Sequence, residues 1–302
     1  MTSLAPIALF VYNRPEHLRV TVEALQKNAL AQDSDLLIYS DAPKTSEAGE
    51  AVREVRDYIK KISGFRSVTV VERAKNFGLA NSIIGGVTAT VNKYGRIIVL
   101  EDDLVTSPYF LTYMNEALEK FADDDRVVSV HGYVYPVEQS LPEAFFLPGA
   151  DCWGWATWQR GWACFNDDGQ SLLDELERRK LIRAFDFNGA YSFSKMLEAQ
   201  IKGANDSWAV RWYASAFLAG KLTLYPGRSL VHNIGNDNSG SHCGESAEYD
   251  AKLSNTPISL NNIDIEPSQA GRQAFEAFFR QKQTGLLRRL TRKASALLKG
   301  CR

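Results

Sequence analysis

Four times in the first hundred or so residues a short apolar run gives way to a helical pattern, and this alternation leaves the chain few folds to adopt. Pro6 to Tyr12 (PIALFVY) is continuously apolar, as in a strand buried on both faces. Pro15 opens a helix with Leu18, Val22 and Leu25 at helical spacing, and proline is tolerated in a first turn. Asp35 to Ser40 (DLLIYS) reads as a second strand, ending at Asp41-Ala42-Pro43, with a helix from about Ser46 to Ile62 behind it. Ser67 to Val71 is a third strand; the turn Asn76-Phe77-Gly78 leads to a helix from about Leu79 to Asn92. Gly95 ends that helix, and Arg96 to Leu100 (RIIVL) is a fourth strand with Glu101, Asp102 and Asp103 at its carboxyl end. A helix from Pro108 to about Phe121 follows. The pattern predicts the α/β class, with a mostly parallel central sheet flanked by helices. Such sheets bind ligands beyond their carboxyl strand ends, where the acidic triplet lies.

The second half is less regular. Val127 to His131, Leu222 to Tyr225 and Ser229 to Val231 read as strands, and Trp208 to about Ala219 as a helix. Gly235 to Gly244 (GNDNSGSHCG) is too polar and glycine-rich for anything but a loop. No internal repeat or low-complexity linker interrupts the chain, so residues 1–280 read as a single domain followed by a tail over 281–302. Of the 302 residues, 45% are hydrophobic, enough for a sizeable core. A formal net charge of -1 argues against a general nucleic-acid binder. Cys152, Cys164, Cys243 and Cys301 fit neither a zinc pattern nor a compact disulfide scaffold, so free thiols in a cytoplasmic protein are expected. The first residues lack a basic leader with an apolar stretch, and no segment reaches ~18 uninterrupted apolar residues, so no signal peptide or membrane span is expected.

The triplet Glu101-Asp102-Asp103 carries the sharpest chemical signal. Residues two apart on an extended chain point the same way, so Glu101 and Asp103 are expected to face one crevice with Asp102 turned away. Adjacent carboxylates repel unless compensated. Mg²⁺ or Mn²⁺ takes oxygen ligands and binds through one or two carboxylates plus a diphosphate. A solvated acidic turn is the other reading of the same residues.

Asn13-Arg14, Ser40-Asp41, and Glu101-Asp102-Asp103-Leu104 followed by Ser107-Pro108-Tyr109-Phe110 together resemble the GT-A glycosyltransferases. The likeness is to the N-acetylglucosaminyltransferase I type and its bacterial relatives. It continues through Gly154-Trp155, Asn205-Asp206-Ser207-Trp208 and the loop from Gly235 to Gly244. It implies a Rossmann-like GT-A fold, with residues 1–130 as the nucleotide-sugar-binding half and 131–280 as the acceptor-binding half. It further implies that Arg14 contacts the donor diphosphate or sugar and that Asp41 holds the base or ribose. Asp103 would be the main metal ligand, with Glu101 also at the metal, and Glu101 and Asp102 contacting sugar or ribose hydroxyls. Asp206 would be the catalytic base. From the residues alone, Arg14 also serves as a turn cap, Asp41 as the start of a turn, and Asp206 as the N-cap of the helix behind it.

Asp151 to Trp162 (DCWGWATWQRGW) holds four of the six tryptophans. Trp153, Trp155 and Trp158 suit either a sugar-stacking acceptor wall or an aromatic core. In the loop, His242 is a candidate to complete the metal shell or touch the diphosphate; His232 is a second candidate, while His17 and His131 are expected to be structural. A glycine-rich loop that closes over the donor excludes water during transfer.

Glu276 is the last acidic residue, and Arg280, Lys282, Arg288, Arg289, Arg292, Lys293, Lys299 and Arg302 follow it. As a helix, Leu286, Leu287, Leu290, Ala294, Leu297 and Leu298 fill an arc of about 120° opposite most of the basic residues. Two occupants of that face remain open: an anionic membrane surface, or the protein body or a second subunit. The favoured function is metal-dependent, inverting transfer from a nucleotide-sugar, UDP-linked by resemblance, to a glycan or lipid-linked acceptor hydroxyl. Bacterial surface-polysaccharide or lipopolysaccharide assembly, at the cytoplasmic membrane's inner face, is the expected setting. A sugar nucleotidyltransferase lacks its usual Gly-rich phosphate loop at Asn13-Arg14-Pro15, and a non-catalytic carbohydrate binder leaves the acidic residues idle. Donor sugar, linkage and oligomeric state are not readable.

Overall fold

The computed structural model describes residues 3–237 and 247–282. The strands are β1 (Ile7–Val11), β2 (Asp35–Ser40), β3 (Ser67–Glu72), β4 (Arg96–Glu101), β5 (Leu104–Thr106), β6 (Val127–His131), β7 (Ala144–Pro148), β8 (Trp155–Trp158), β9 (Leu222–Pro226) and β10 (Val231–Asn233). The first four α-helices are α1 (Pro15–Gln26), α2 (Gly49–Ile59), α3 (Leu79–Tyr94) and α4 (Phe110–Lys120). The remainder are α5 (Gln159–Trp162), α6 (Gly169–Arg178), α7 (Ile182–Phe185), α8 (Phe193–Ile201) and α9 (Trp208–Leu218). Residues 269–282 are also helical.

Eight strands form one sheet in the order β3-β2-β1-β4-β8-β6-β9-β7. The four strands β3, β2, β1 and β4 are mutually parallel. β8 runs antiparallel to both β4 and β6, β9 is parallel to β6, and β7 is antiparallel to β9. The expected α/β class and mostly parallel, helix-flanked sheet are what is observed. All five residues of β1 are buried, which is why its sequence shows no alternation. Gly95 takes φ 75° at the end of α3, a left-handed cap that turns the chain sharply into β4.

One face of the sheet packs Leu9, Ile38, Ile98 and Leu100 against Leu18, Val22 and Leu25 of α1 and Met114 of α4. The other packs Ala8, Phe10, Ile97 and Val99 against Ile83 and Val87 of α3 and Trp212 of α9. A third, aromatic cluster joins α6 to α9 with Phe275, Phe278 and Phe279 of the last helical stretch. The boundary at 130 falls within β6, and β8 is inserted between β4 and β6, so both halves share one sheet. Among the described residues no helix is long and apolar enough to cross a membrane. Among the described residues, Cys152 and Cys164 are not joined in a disulfide. Cys243, Cys301 and the amphipathic tail beyond residue 282 lie outside the described residues.

Candidate active site

The carboxyl ends of β1, β2 and β4 open into a cavity of about 1170 Å³. It is also lined by the start of α9, residues 150–153, and a group of aromatic rings that includes Tyr135, Phe187, Phe193 and Phe279.

Arg14 stands just ahead of α1, whose first residue is Pro15. Its Nη2 donates to Asp102 and, at 2.9 Å, to Asp103 Oδ2. The expectation that Asp102 turns away is therefore corrected: the chain leaves the strand after Glu101, alternation lapses, and both aspartates meet one guanidinium. Thr21 Oγ1 donates to the Asp102 carbonyl at 2.9 Å and fixes the turn on α1. Burial, then Asp103 and Asp102, push the Glu101 carboxyl up to about 8. Burial likewise raises Asp102, to about 6, with Arg14 opposing it. Burial works against the Arg14 charge, but the two aspartates outweigh it and hold its pKa above the ordinary value. Three carboxyl groups thus share one cation, and a hard divalent ion fits the negative charge left over. Among the described residues, no three His, Cys, Asp or Glu side chains form a metal cage by themselves. Such an ion would complete its shell with water and diphosphate oxygens.

A second strand pair completes this end of the cavity. β10 pairs with β5, Asn233 opposite Leu104. The Ile234 N–H then donates to the Asp103 carbonyl at 2.9 Å, and the Gly235 N–H to Asn233 Oδ1 at 2.7 Å. Gly235 lies so close to the acidic pair that a Cβ there would be 2.9 Å from Asp103 Cγ and 3.0 Å from Arg14 Nη1. Nothing but a glycine at the head of a polar loop signalled this in the sequence. His17 Nε2 stands 3.0 Å from Asp237 Oδ2 and ties α1 to the same segment. His232 sits opposite Val105 in the strand pair and is absent from the cavity wall. His242 and the loop from residue 238 to 246 lie outside the described residues.

Asp41 lines the cavity, and its carboxylate accepts the backbone N–H groups of Ala42, Phe77 and Gly78 at 2.9 Å each. It braces the turn ahead of α3, which leaves its lone pairs largely spent within the fold. Asp206 also lines the cavity. It is not the helix cap: Ser207 is, its Oγ accepting the Val210 N–H at 3.3 Å. The capping reading of Asp206 is thereby removed.

The tryptophans divide. Trp153 lines the cavity, with its ring 4.7 Å from Tyr133. Trp155 is 0% exposed, stacked on Trp208 at 5.5 Å, and Trp158 is 6% exposed, its Nε1 donating to the Leu118 carbonyl at 3.0 Å. The acceptor-wall expectation fails for Trp155 and Trp158 because they belong to β8, an internal strand with both faces covered. Sequence reasoning missed Asp151, Tyr135, Phe187, Phe193 and Phe279, which also line the cavity.

The profile described as Glycosyl transferase family 2 matches residues 7–157, half of the chain. Among solved structures, the chain is similar to the mannosyltransferase PcManGT from Pyrobaculum calidifontis, in complex with GDP-Man and Mn²⁺. That alignment has 16% identity over 44% of this chain and 36% of that one, with a TM-score of 0.31. It is also similar to S. aureus TarS, at 11% identity over 48% of this chain and 25% of TarS, TM-score 0.31. The chain thus spans roughly a third and a quarter of the length of these two proteins. No curated protein matches it.

Proposed function

The chain belongs to glycosyl transferase family 2, and on that premise we propose that it catalyses metal-dependent, inverting transfer of a sugar from a nucleotide-sugar to an acceptor hydroxyl. Family membership makes it a glycosyltransferase and sets aside the nucleotidyltransferase and non-catalytic readings. The observation that carries the finer proposal is one continuous cavity lined by Arg14, Asp41, the acidic turn and Asp206. UDP is the nucleotide proposed first.

In this reading Asp103, with Glu101 beside it, holds Mn²⁺ or Mg²⁺, which neutralises the leaving nucleoside diphosphate when bound. Arg14 adds positive charge at the diphosphate and fixes Asp102 and Asp103 in place. Asp102 and Glu101 accept hydroxyl hydrogens of the ribose or donor sugar. Asp41 shapes the nucleotide end chiefly through the turn it braces. Asp206 takes the acceptor hydroxyl proton as the oxygen bonds to the anomeric carbon and the bond to diphosphate breaks. A single displacement inverts that carbon. A positioned carboxylate base contributes about 10²–10⁴-fold. Trp153 offers a ring to the acceptor. The setting we propose is bacterial surface-polysaccharide or lipopolysaccharide assembly with a glycan or lipid-linked acceptor. The basic, leucine-bearing sequence of the tail supports attachment to an anionic membrane surface.

The test begins with a thermal-shift panel of nucleotide-sugars with and without Mn²⁺, since a ligand that binds only the folded state raises Tm. Asp206→Asn should keep donor affinity and lose kcat. Product with retained anomeric configuration, or a mutant with nearly full kcat, overturns the mechanism.

A further inference from the structure

Arg14 and Lys44 stand among the groups lining the cavity. Also in its wall is Asp151, whose side chain is 24% exposed. Its Oδ1 accepts the Cys152 N–H at 2.8 Å, and its Oδ2 accepts the Tyr225 hydroxyl at 3.3 Å. These bonds aim the carboxylate without neutralising it. The basic side chain within ion-pairing distance is His131, with Nε2 3.8 Å from Oδ1. That nitrogen accepts the Trp153 N–H at 3.0 Å, so it carries no proton to offer Asp151. Burial also lowers the His131 pKa, against the pull of Asp151. Among the described residues no lysine or arginine forms an ion pair with Asp151. Arg272 is engaged by Glu276 at 2.9 Å and lies 3.9 Å over the Phe187 ring.

Rings surround this carboxylate. Trp153, Tyr135 and Tyr225 share its cavity wall, and Tyr135 packs edge-on to Phe275 and Phe279 at 4.8 and 5.0 Å. A carboxylate without a basic partner in such a wall attracts a cation by its charge. A neutral sugar would leave the charge uncompensated.

We propose that Asp151, with Trp153, Tyr135 and Tyr225 around it, forms an acceptor-side subsite for a sugar or aglycone bearing a protonated amine. The proposal rests on the glycosyltransferase reading only in treating this wall as the acceptor's. Its chemistry is tested by equilibrium binding of D-glucosamine, D-glucose and N-acetyl-D-glucosamine to the full chain without donor, read by saturation-transfer NMR. Glucosamine should bind about tenfold more tightly than either neutral sugar, the scale of one hydrogen bond to a charged group. The preference should vanish in Asp151→Asn and shrink in wild type as salt rises. Equal binding of the three sugars by wild type, a preference indifferent to salt, or one that persists in Asp151→Asn overturns the subsite. The salt series on wild type decides the matter should Asp151→Asn fail to fold. Metal-stimulated donor hydrolysis is measured in parallel. Hydrolysis without amine preference defeats the subsite alone, and amine preference without hydrolysis defeats the transferase mechanism alone.

Discussion

Gly235→Ala is the most informative single change, because it adds one methyl group at the point where β10 meets the acidic turn. That methyl carbon would overlap Asp103 Oδ2 outright and sit 2.9 Å from its Cγ and 3.0 Å from Arg14 Nη1. Ordinary carbon contacts lie at about 3.5–4.0 Å, so Asp103 or the backbone above it must move by roughly 1 Å. A shift of about 1 Å at a reacting centre costs on the order of 100-fold, or ~2.7 kcal/mol of transition-state stabilisation. Gly235 and Asp103 are both buried, so the crowding should also cost about 1–3 kcal/mol of stability, and activity is compared well below the lowered Tm. The assay is Mn²⁺-dependent hydrolysis of the donor identified by thermal shift, with Tm measured alongside. Gly85→Ala in α3 is the control, since a Cβ there meets nothing within 4 Å. Wild-type hydrolysis and UDP affinity in Gly235→Ala would refute the idea that the segment after β10 holds Asp103 in its working position.

Asp103→Ala should abolish the part of UDP affinity that depends on Mn²⁺ while leaving Tm nearly unchanged; titrations with and without metal decide it. Ser207→Ala should lower stability by about 1 kcal/mol in urea unfolding through loss of the α9 cap, and an unchanged midpoint would remove the capping role. His131 faces Asp151, Tyr133 and Tyr225, and its folded pKa is lowered, by burial first, from 6.5. As pH falls below about 6.5 the unfolded chain takes up a proton that the folded one refuses, so this residue's contribution to stability is lost in acid. The Tm of wild type should therefore fall relative to His131→Gln between pH 7.5 and roughly 5.5; parallel curves would contradict this.

The parallel half of the fold was legible because β1, β2 and β4 are buried apolar runs closed by Asp, Pro and Gly, and helical spacing between them is clear. The second half was harder to read. β8 is Trp-Ala-Thr-Trp, buried throughout. Four residues without alternation, rich in a ring that also suits sugars, do not declare themselves a strand. At the site, composition revealed the acidic triplet but not its geometry, since alternation holds only while the chain stays extended. Neighbouring Asp206 and Ser207 are both capping types, and only the backbone shows which accepts the Val210 N–H. Asp151 escaped notice because its partners, His131 and Tyr225, come from β6 and β9, far away in sequence.

The insertion of β8 between β4 and β6 bears on how the chain is made. Strands β1 to β4 can pair with one another as they leave the ribosome, but β6 emerges before either of its neighbours, β8 and β9, exists. Until residue 158 is synthesised, β4 presents its Ile97-Ile98-Val99-Leu100 run as an open sheet edge, a surface prone to pairing with other chains. A nascent chain stalled after β6 should accordingly recruit holding chaperones or aggregate, and one stalled after β8 should do so less. Proteins with strands laid down in spatial order avoid that exposed interval; here the chain passes through it in every round of translation.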